Sequence, residues 1–127
     1  MNVLHNIGIA DQIGKYGDAI EVPPHARWLM TAGTPGLTQD GTLPDGMTAQ
    51  AEQAWTNIID MLNRAGMTVD DLVKVTQYVT RESDIPAYVQ VRNRFLGDAR
   101  PASMLLVTPA FVRPEFLLEV DVVAAKI

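Results

Sequence analysis

The sequence predicts a two-layer α+β domain, in which one mixed β-sheet carries two helices on one of its faces. Segments with strand and helix patterns follow one another along the 127 residues in the order β-β-α-β-α-β-β. The two helical segments each have one apolar face, and a sheet face is the surface that can bury both. We treat residues 1–127 as one domain, because a chain of this length buries about two-thirds of its unfolded surface without disulfides.

Two short strands and a long loop are predicted in the first third of the chain. β-prone residues at 19–22 and 28–32 predict the two strands, and we expect them to pair as a hairpin. Residues 33–46 are rich in glycine and proline, which predicts a loop. A loop of this length in a compact domain is more often functional than idle.

The clearest helix follows this loop. Apolar residues recur at helical spacing over residues 51–65, which indicates one buried face. Thr48 is placed to cap the N-terminus of this helix, and Gly66 stands where a residue just past the C-terminus belongs. Thr68 and Asp71 then have the spacing of a capping box, which predicts one further short turn.

The second half of the chain predicts a strand, a second helix and two more strands. Residues 73–80 and 103–107 have the composition of strands. Between them, Ser83 or Asp84 is placed to cap a helix that ends at Gly97. The buried side of this helix is expected to consist of Tyr88, Val91 and Phe95.

The C-terminal strand, residues 116–125, is the stretch around which we expect the fold to be built. Because side chains alternate across a strand, one of its faces is wholly apolar and the other carries Glu119 and Asp121. A strand that only filled a core would not need two carboxylates, whereas one that lines a pocket or meets a partner subunit could use them. Apolar side chains from residues 103–107 would lie on the same sheet face as Glu119 and Asp121. An apolar face of this kind is not expected to stay open to water, so we expect a homo-oligomer to cover it.

Composition excludes several classes of function. A net charge of −5 without a basic run argues against a nucleic-acid binder. The chain has no cysteine, and His5 and His25 lack metal-ligand spacing, so we expect no metal site and no disulfide. No apolar run is long enough to span a membrane, and the N-terminus lacks the pattern of a signal peptide. We therefore expect a cytoplasmic protein with no membrane partner.

Several motifs together resemble a known family, and they follow one another over about residues 12–125. They are Ile13-Gly-Lys-Tyr16, Thr31-Ala-Gly-Thr-Pro35, Arg64-Ala-Gly-Met-Thr-Val-Asp-Asp-Leu-Val-Lys-Val-Thr76, Arg100-Pro-Ala102 and Leu118-Glu-Val-Asp121. The chain resembles the Rid family, the YjgF-type reactive intermediate deaminases. The resemblance implies a chorismate-mutase-like fold and a homotrimer with a small-molecule cleft between subunits. It also implies hydrolysis of enamines and imines to a ketone and ammonia, with no cofactor and no metal.

The resemblance also implies four site residues. Glu119 matches the glutamate that positions or activates the attacking water, and Gly33 matches the glycine whose backbone lies against the ligand. Tyr16 matches a tyrosine near the mouth of the pocket. Ser103 stands where active deaminases of the family have an arginine that binds the substrate carboxylate through two donors. Because serine brings no charge, the usual 2-imino acids should bind more weakly here.

Each of these assignments has a structural alternative. Glu119 could satisfy cross-strand donors, Gly33 could end a strand, and Tyr16 could be an ordinary packed tyrosine. Arg100 or Arg113 could supply the missing charge at Ser103, although both also fit solvated loop positions.

The sequence is therefore consistent with three candidate functions. The first is an enamine or imine hydrolase that acts on a substrate other than the usual 2-imino acids. The second is a non-catalytic binder of a small metabolite. The third is a ribonuclease or translation inhibitor, an activity also assigned to the family, which the net charge of −5 disfavours.

Overall fold

The structure, a computed structural model, describes all 127 residues. The strands and helices are β1 (Val3–His5), β2 (Ala19–Glu21), β3 (Arg27–Met30), α1 (Met47–Arg64), β4 (Leu72–Val79), α2 (Ile85–Leu96), β5 (Ala102–Val107) and β6 (Leu118–Lys126). Single-turn 3-10 helices lie at Ala10–Gln12, Val69–Asp71 and Glu82–Asp84. Neither α1 nor α2 combines the length and the apolar character that crossing a bilayer requires.

Four strands form a mixed sheet in the order β3-β6-β4-β5. Strand β6 is antiparallel to both β3 and β4, whereas β4 and β5 run parallel. Side chains of α1 and α2 join those of one sheet face in a single hydrophobic core. The predicted fold class, two helices on one face of a mixed sheet, is confirmed.

The apolar face predicted for the last strand is the centre of this core. Leu118, Val120, Val122 and Ala124 are each at most 1% exposed. Opposite them on β4 lie Val79, Gln77, Val75 and Leu72. Helix α1 covers this surface with Trp55 and Ile58, and helix α2 covers it with Tyr88. Both edges of β6 are paired, with β3 and β4, and its apolar face is covered by the two helices.

The predicted hairpin is wrong. Strand β2 pairs with β1, a strand that the sequence did not predict, in a separate two-stranded ribbon with Val3 opposite Glu21. Strand β3 pairs with β6, so that Leu29 lies opposite Ala124 on the core side. This pairing buries part of β3 against the apolar strand β6, which the short and largely exposed β2 does not offer.

The predicted helix ends are close to the observed ones, but the caps differ. Helix α1 follows Gly46, whose φ of +84° suits glycine, and Thr48 lies inside the first turn and is not the cap. Asp84 precedes α2, but its side chain accepts a hydrogen bond from Nε of Arg81 at 2.9 Å and does not cap the helix. The capping box is confirmed. The side chain of Thr68 accepts a hydrogen bond from the backbone of the single turn that follows, and the side chain of Asp71 accepts one from the backbone N–H of Thr68 at 2.8 Å.

The face of the sheet that points away from the helices is not covered by the chain. We call it the outer face. Its large apolar side chains include Trp28 (53% exposed), Met30 (70%), Met104 (50%) and Leu106 (39%). The strand register puts Glu119 on this face opposite Tyr78, and Asp121 opposite Thr76. Two carboxylates therefore stand within an exposed apolar surface.

Candidate functional site

Glu119 and Gly33 lie against each other on the outer face. The cause is an antiparallel bridge beyond the end of β3, in which Thr34 and Val120 exchange two backbone hydrogen bonds of 2.8 and 3.0 Å. This bridge brings residue 33 beside the carboxylate of residue 119. A Cβ atom at residue 33 would lie 2.5 Å from Oε1 of Glu119. The carboxylate can occupy its position only because residue 33 is glycine.

The Glu119 carboxylate is half-buried and has no hydrogen-bond partner in the chain. Burial raises its pKa above the ordinary value, because the charged form loses contact with water. A carboxylate in this state is a better proton acceptor than a solvated one. Accepting a proton from a water molecule is the chemistry that such a group offers.

Tyr16 and Ser103 lie at a second location, a cavity of about 680 Å³ between the loop at residues 13–16, helix α2 and strand β5. Lys15, Arg92 and Asn93 supply its other polar groups. Tyr16 is half-buried in the loop wall. Two further cavities of the chain are smaller, with volumes of about 250 and 270 Å³.

The four predicted site residues thus form two separate pairs within one chain. Ser103 lies opposite Val75 in the parallel β4–β5 register, so its side chain points to the helix side of the sheet. Glu119 points to the outer face, and neither it nor Gly33 lines the cavity of Tyr16 and Ser103.

Arg92 is a residue that the sequence reasoning missed. It is only 5% exposed and lines the same cavity. Its Nε and Nη2 donate to Oδ1 of Asn93 at 3.3 and 3.2 Å, and its Nη1 donates to Oε1 of Gln77 at 3.4 Å. Burial lowers its pKa from the ordinary value. Its position four residues after Tyr88 puts it on the buried side of α2, and that spacing is the signal that could have identified it.

A buried chain of hydrogen bonds connects the core to this cavity. Nε1 of Trp55 donates to the Tyr88 hydroxyl at 3.3 Å, and that hydroxyl donates to Oε1 of Gln77 at 2.8 Å. Nε2 of Gln77 donates to Oγ of Ser103 at 3.0 Å. Burial raises the pKa of Tyr88, which keeps its hydroxyl protonated as a donor. The fully buried Gln77 therefore positions both Ser103 and Arg92.

The two arginines considered as replacements lie elsewhere. Nη1 of Arg100 donates to the backbone carbonyls of Gly97 and Ala99 at 2.8 and 2.9 Å. The guanidinium of Arg113 lies over the ring of Phe116, 5.5 Å from its centroid. Neither arginine lines the cavity of Ser103.

The chain has relatives of known family and structure. The family model described as Endoribonuclease L-PSP matches residues 9–126. A RutC family protein of Pyrococcus abyssi is 28% identical over 116 residues, which cover 90% of this chain and 88% of that protein. YyfB of Yersinia pestis, a solved Rid family protein of unknown function, has a TM-score of 0.86 at 25% identity and covers 98% of both chains.

A second solved structure, from Mycobacterium tuberculosis, is described as a member of the YjgF/YER057c/UK114 family. It has a TM-score of 0.71 at 25% identity, over 99% of this chain and 100% of that one. The family match, the sequence relatives and the structural neighbours agree over almost the full length of the chain. The chain belongs to the Endoribonuclease L-PSP family, which is the YjgF/Rid family that its motifs resemble.

Proposed function

We propose that this protein hydrolyses a small enamine or imine in a cleft between the subunits of a homotrimer. The observation that supports this most is the state of Glu119, a half-buried carboxylate without a hydrogen-bond partner, whose pKa burial raises. A carboxylate kept only for structure would be expected to accept hydrogen bonds from its neighbours.

The proposed reaction needs one base and one water. An imine carbon is already electrophilic, so the oxygen of a water molecule adds to it while Glu119 takes a proton from that water. The same carboxyl group then returns the proton to the nitrogen. Glu119 next transfers the proton of the new hydroxyl group to the nitrogen, the carbon–nitrogen bond breaks as the carbon–oxygen double bond forms, and ammonia leaves. The backbone of Gly33 permits the reacting carbon to approach, because no Cβ stands in the way.

The proposed cleft between subunits combines the two residue pairs. In one chain, Glu119 and Gly33 lie on the outer face, while Tyr16 and Ser103 lie beside the edge strand β5. A trimer that covers the outer face would bring the edge of one subunit to the outer face of the next. Each site would then take Glu119 from one subunit and the cavity from its neighbour.

The experiment that tests this function is an assay of ammonia and keto-acid release from imines generated in situ by an amino-acid oxidase. We expect the wild type to accelerate release from its preferred imine and Glu119→Gln to lose about 100-fold or more in rate. Asp121→Asn is the matched control, since it changes the neighbouring acid on the same face of the same strand. Activity of Glu119→Gln equal to that of the wild type would refute the role of Glu119.

Ser103→Arg adds a second comparison to this assay. It restores the guanidinium that the resemblance assigns to active deaminases. We expect Ser103→Arg to favour the usual 2-imino acids relative to the wild type, because two donors then hold their carboxylate. An unchanged preference would show that position 103 does not determine substrate choice.

A second candidate is a non-catalytic binder of a small metabolite. The cavity beside Ser103, with its polar and apolar walls, favours this function independently of Glu119. Ligand binding without any imine hydrolysis would support the binder and exclude the hydrolase. A ribonuclease, which the family description names, would require RNA cleavage that Glu119→Gln abolishes.

A further inference from the structure

The cavity beside α2 contains a buried cation that has no acidic partner. Arg92 is 5% exposed, and it takes part in none of the ion pairs of the chain. Buried charges in proteins are normally paired, because removing an unpaired charge from water is costly. An unpaired arginine that lines a cavity therefore points to a charged partner from outside the chain.

The hydrogen bonds of Arg92 leave part of its guanidinium free. A guanidinium has five N–H donors, and the chain accepts three of them, one from each nitrogen, through Asn93 and Gln77. One donor on each terminal nitrogen has no acceptor. Two such donors are what arginine uses to bind a carboxylate through two parallel hydrogen bonds.

The other polar groups of the cavity reinforce its attraction for an anion. Lys15 is the second cation in its wall, and no Asp or Glu side chain lines it, although the chain as a whole has a net charge of −5. Oγ of Ser103 accepts a hydrogen bond from Nε2 of Gln77 at 3.0 Å. The Ser103 hydroxyl proton is therefore available for a third hydrogen bond to an anion.

The rest of the cavity suits an apolar group. Ile13, Ile85, Val89 and Leu105 form walls beside these polar groups. A volume of about 680 Å³ falls within the range of small-molecule sites. A ligand that fits both parts has a carboxylate at one end and an aliphatic or aromatic body at the other.

We propose that Arg92 binds the carboxylate of a small organic acid whose apolar body fills the rest of this cavity. The proposal deepens the function above, and rests on it only for the statement that the bound acid is the substrate. The charge at this subsite comes from helix α2, whereas the family resemblance puts it at position 103 on β5. A carboxylate held from this side is oriented differently, which fits a substrate other than the usual 2-imino acids.

The test is direct binding to the full-length protein, measured by calorimetry. The probes are benzoate and 3-methylbutanoate, and their uncharged counterparts benzamide and 3-methylbutanamide are the matched ligands. We expect the wild type to bind each acid about 10-fold or more tightly than its amide. Equal binding of acid and amide would overturn the proposal, as would tighter binding of inorganic phosphate than of benzoate. This comparison does not depend on any variant folding.

Three variants then assign the preference to one side chain. Arg92→Met should weaken benzoate binding about 10- to 100-fold and leave benzamide unaffected. Arg92→Lys keeps the charge without the planar pair of donors and should recover part of the affinity. Arg94→Met is the matched control, because Arg94 lies on the same helix but pairs with Glu52 at the surface. Unchanged benzoate binding by Arg92→Met would overturn the proposal.

The binding test and the assay of hydrolysis can fail separately. Acid binding through Arg92 without ammonia release from any imine would leave this subsite in place and exclude the hydrolase. Hydrolysis of imines without preference for acids over amides would support the hydrolase and exclude the subsite.

Discussion

The half-buried carboxylate of Glu119 should cost the protein stability. Burial raises its pKa in the folded state above the ordinary value of 4.5, so ionised Glu119 destabilises the fold at neutral pH. Below about pH 4 the group is protonated in both the folded and the unfolded state, and the cost disappears. Glu119→Gln should therefore raise the melting temperature at neutral pH and leave it unchanged near pH 4. A lower melting temperature of the variant at neutral pH would contradict this.

Gly33→Ala should separate activity from stability. The added Cβ would meet Oε1 of Glu119 at 2.5 Å, and the flexible end of that side chain can move aside at little cost. We expect the free energy of unfolding to change by less than about 1 kcal/mol, while imine hydrolysis falls about 10-fold or more. In the Glu119→Gln background the same substitution should cause no further loss of activity. An additive loss would show that Gly33 acts independently of the carboxylate.

Sequence reasoning proposed Glu119 and Gly33 as site residues but did not consider Arg92, and the reason is physical. The family resemblance identifies matching positions, and an arginine on helix α2 matches none of its motifs. Helical spacing does put Arg92 beside Val91 on the buried side. An arginine at such a position usually extends its head group to water, so spacing alone does not predict a buried charge. Arg92 shares its cavity with the loop at residues 13–16, which is distant in sequence, and it bonds Gln77 on strand β4, so its surroundings cannot be read from helix α2 alone.

The hydrogen-bonded chain between helices α1 and α2 should contribute measurably to stability. Tyr88→Phe removes the hydroxyl that accepts from Trp55 and donates to Gln77, and it leaves the buried indole N–H unpaired. We expect a loss of about 1–3 kcal/mol in the free energy of unfolding, measured by urea denaturation. Tyr78→Phe is the matched control, because the Tyr78 hydroxyl lies on the outer face and makes no hydrogen bond in the chain. Equal losses of unfolding free energy for both variants would show that the buried hydrogen bonds of Tyr88 add no stability of their own.

The elements themselves were largely predictable, but their pairing was not. Period-two and helical patterns located the four strands of the main sheet and both helices, because each pattern reflects burial of one side. The expected hairpin of residues 19–22 with 28–32 failed because the choice of partner depends on distant residues. Strand β3 gains a buried contact between Leu29 and Ala124 that β2 does not offer. No local sequence pattern indicates whether β3 pairs with β2 or with β6.

Assembly should depend on the outer face of the sheet. Leu106 is 39% exposed there, in a surface that also includes Trp28 and Met30. If the proposed trimer forms through this surface, the charge added by Leu106→Lys should shift the protein from trimer to monomer in analytical ultracentrifugation, with the secondary structure retained. Val112→Lys is the control, since Val112 is 96% exposed in the loop before β6 and should leave the trimer intact. A trimeric Leu106→Lys protein would exclude this surface as the interface.

Mixed trimers should decide whether each site is shared between two subunits. At substrate concentrations well below KM, Glu119→Gln and Arg92→Met should each strongly impair a different half of the proposed site. After the two impaired variants are unfolded together and refolded, each mixed trimer of the proposed kind contains one interface with Glu119 from one subunit and Arg92 from its neighbour. Random mixing should therefore restore about a quarter of the wild-type sites. If both residues of a site came from the same chain, mixing would restore no active site. The pair of Glu119 and Gly33 would then have to reach the cavity of Tyr16 and Ser103 through a conformational change within one chain.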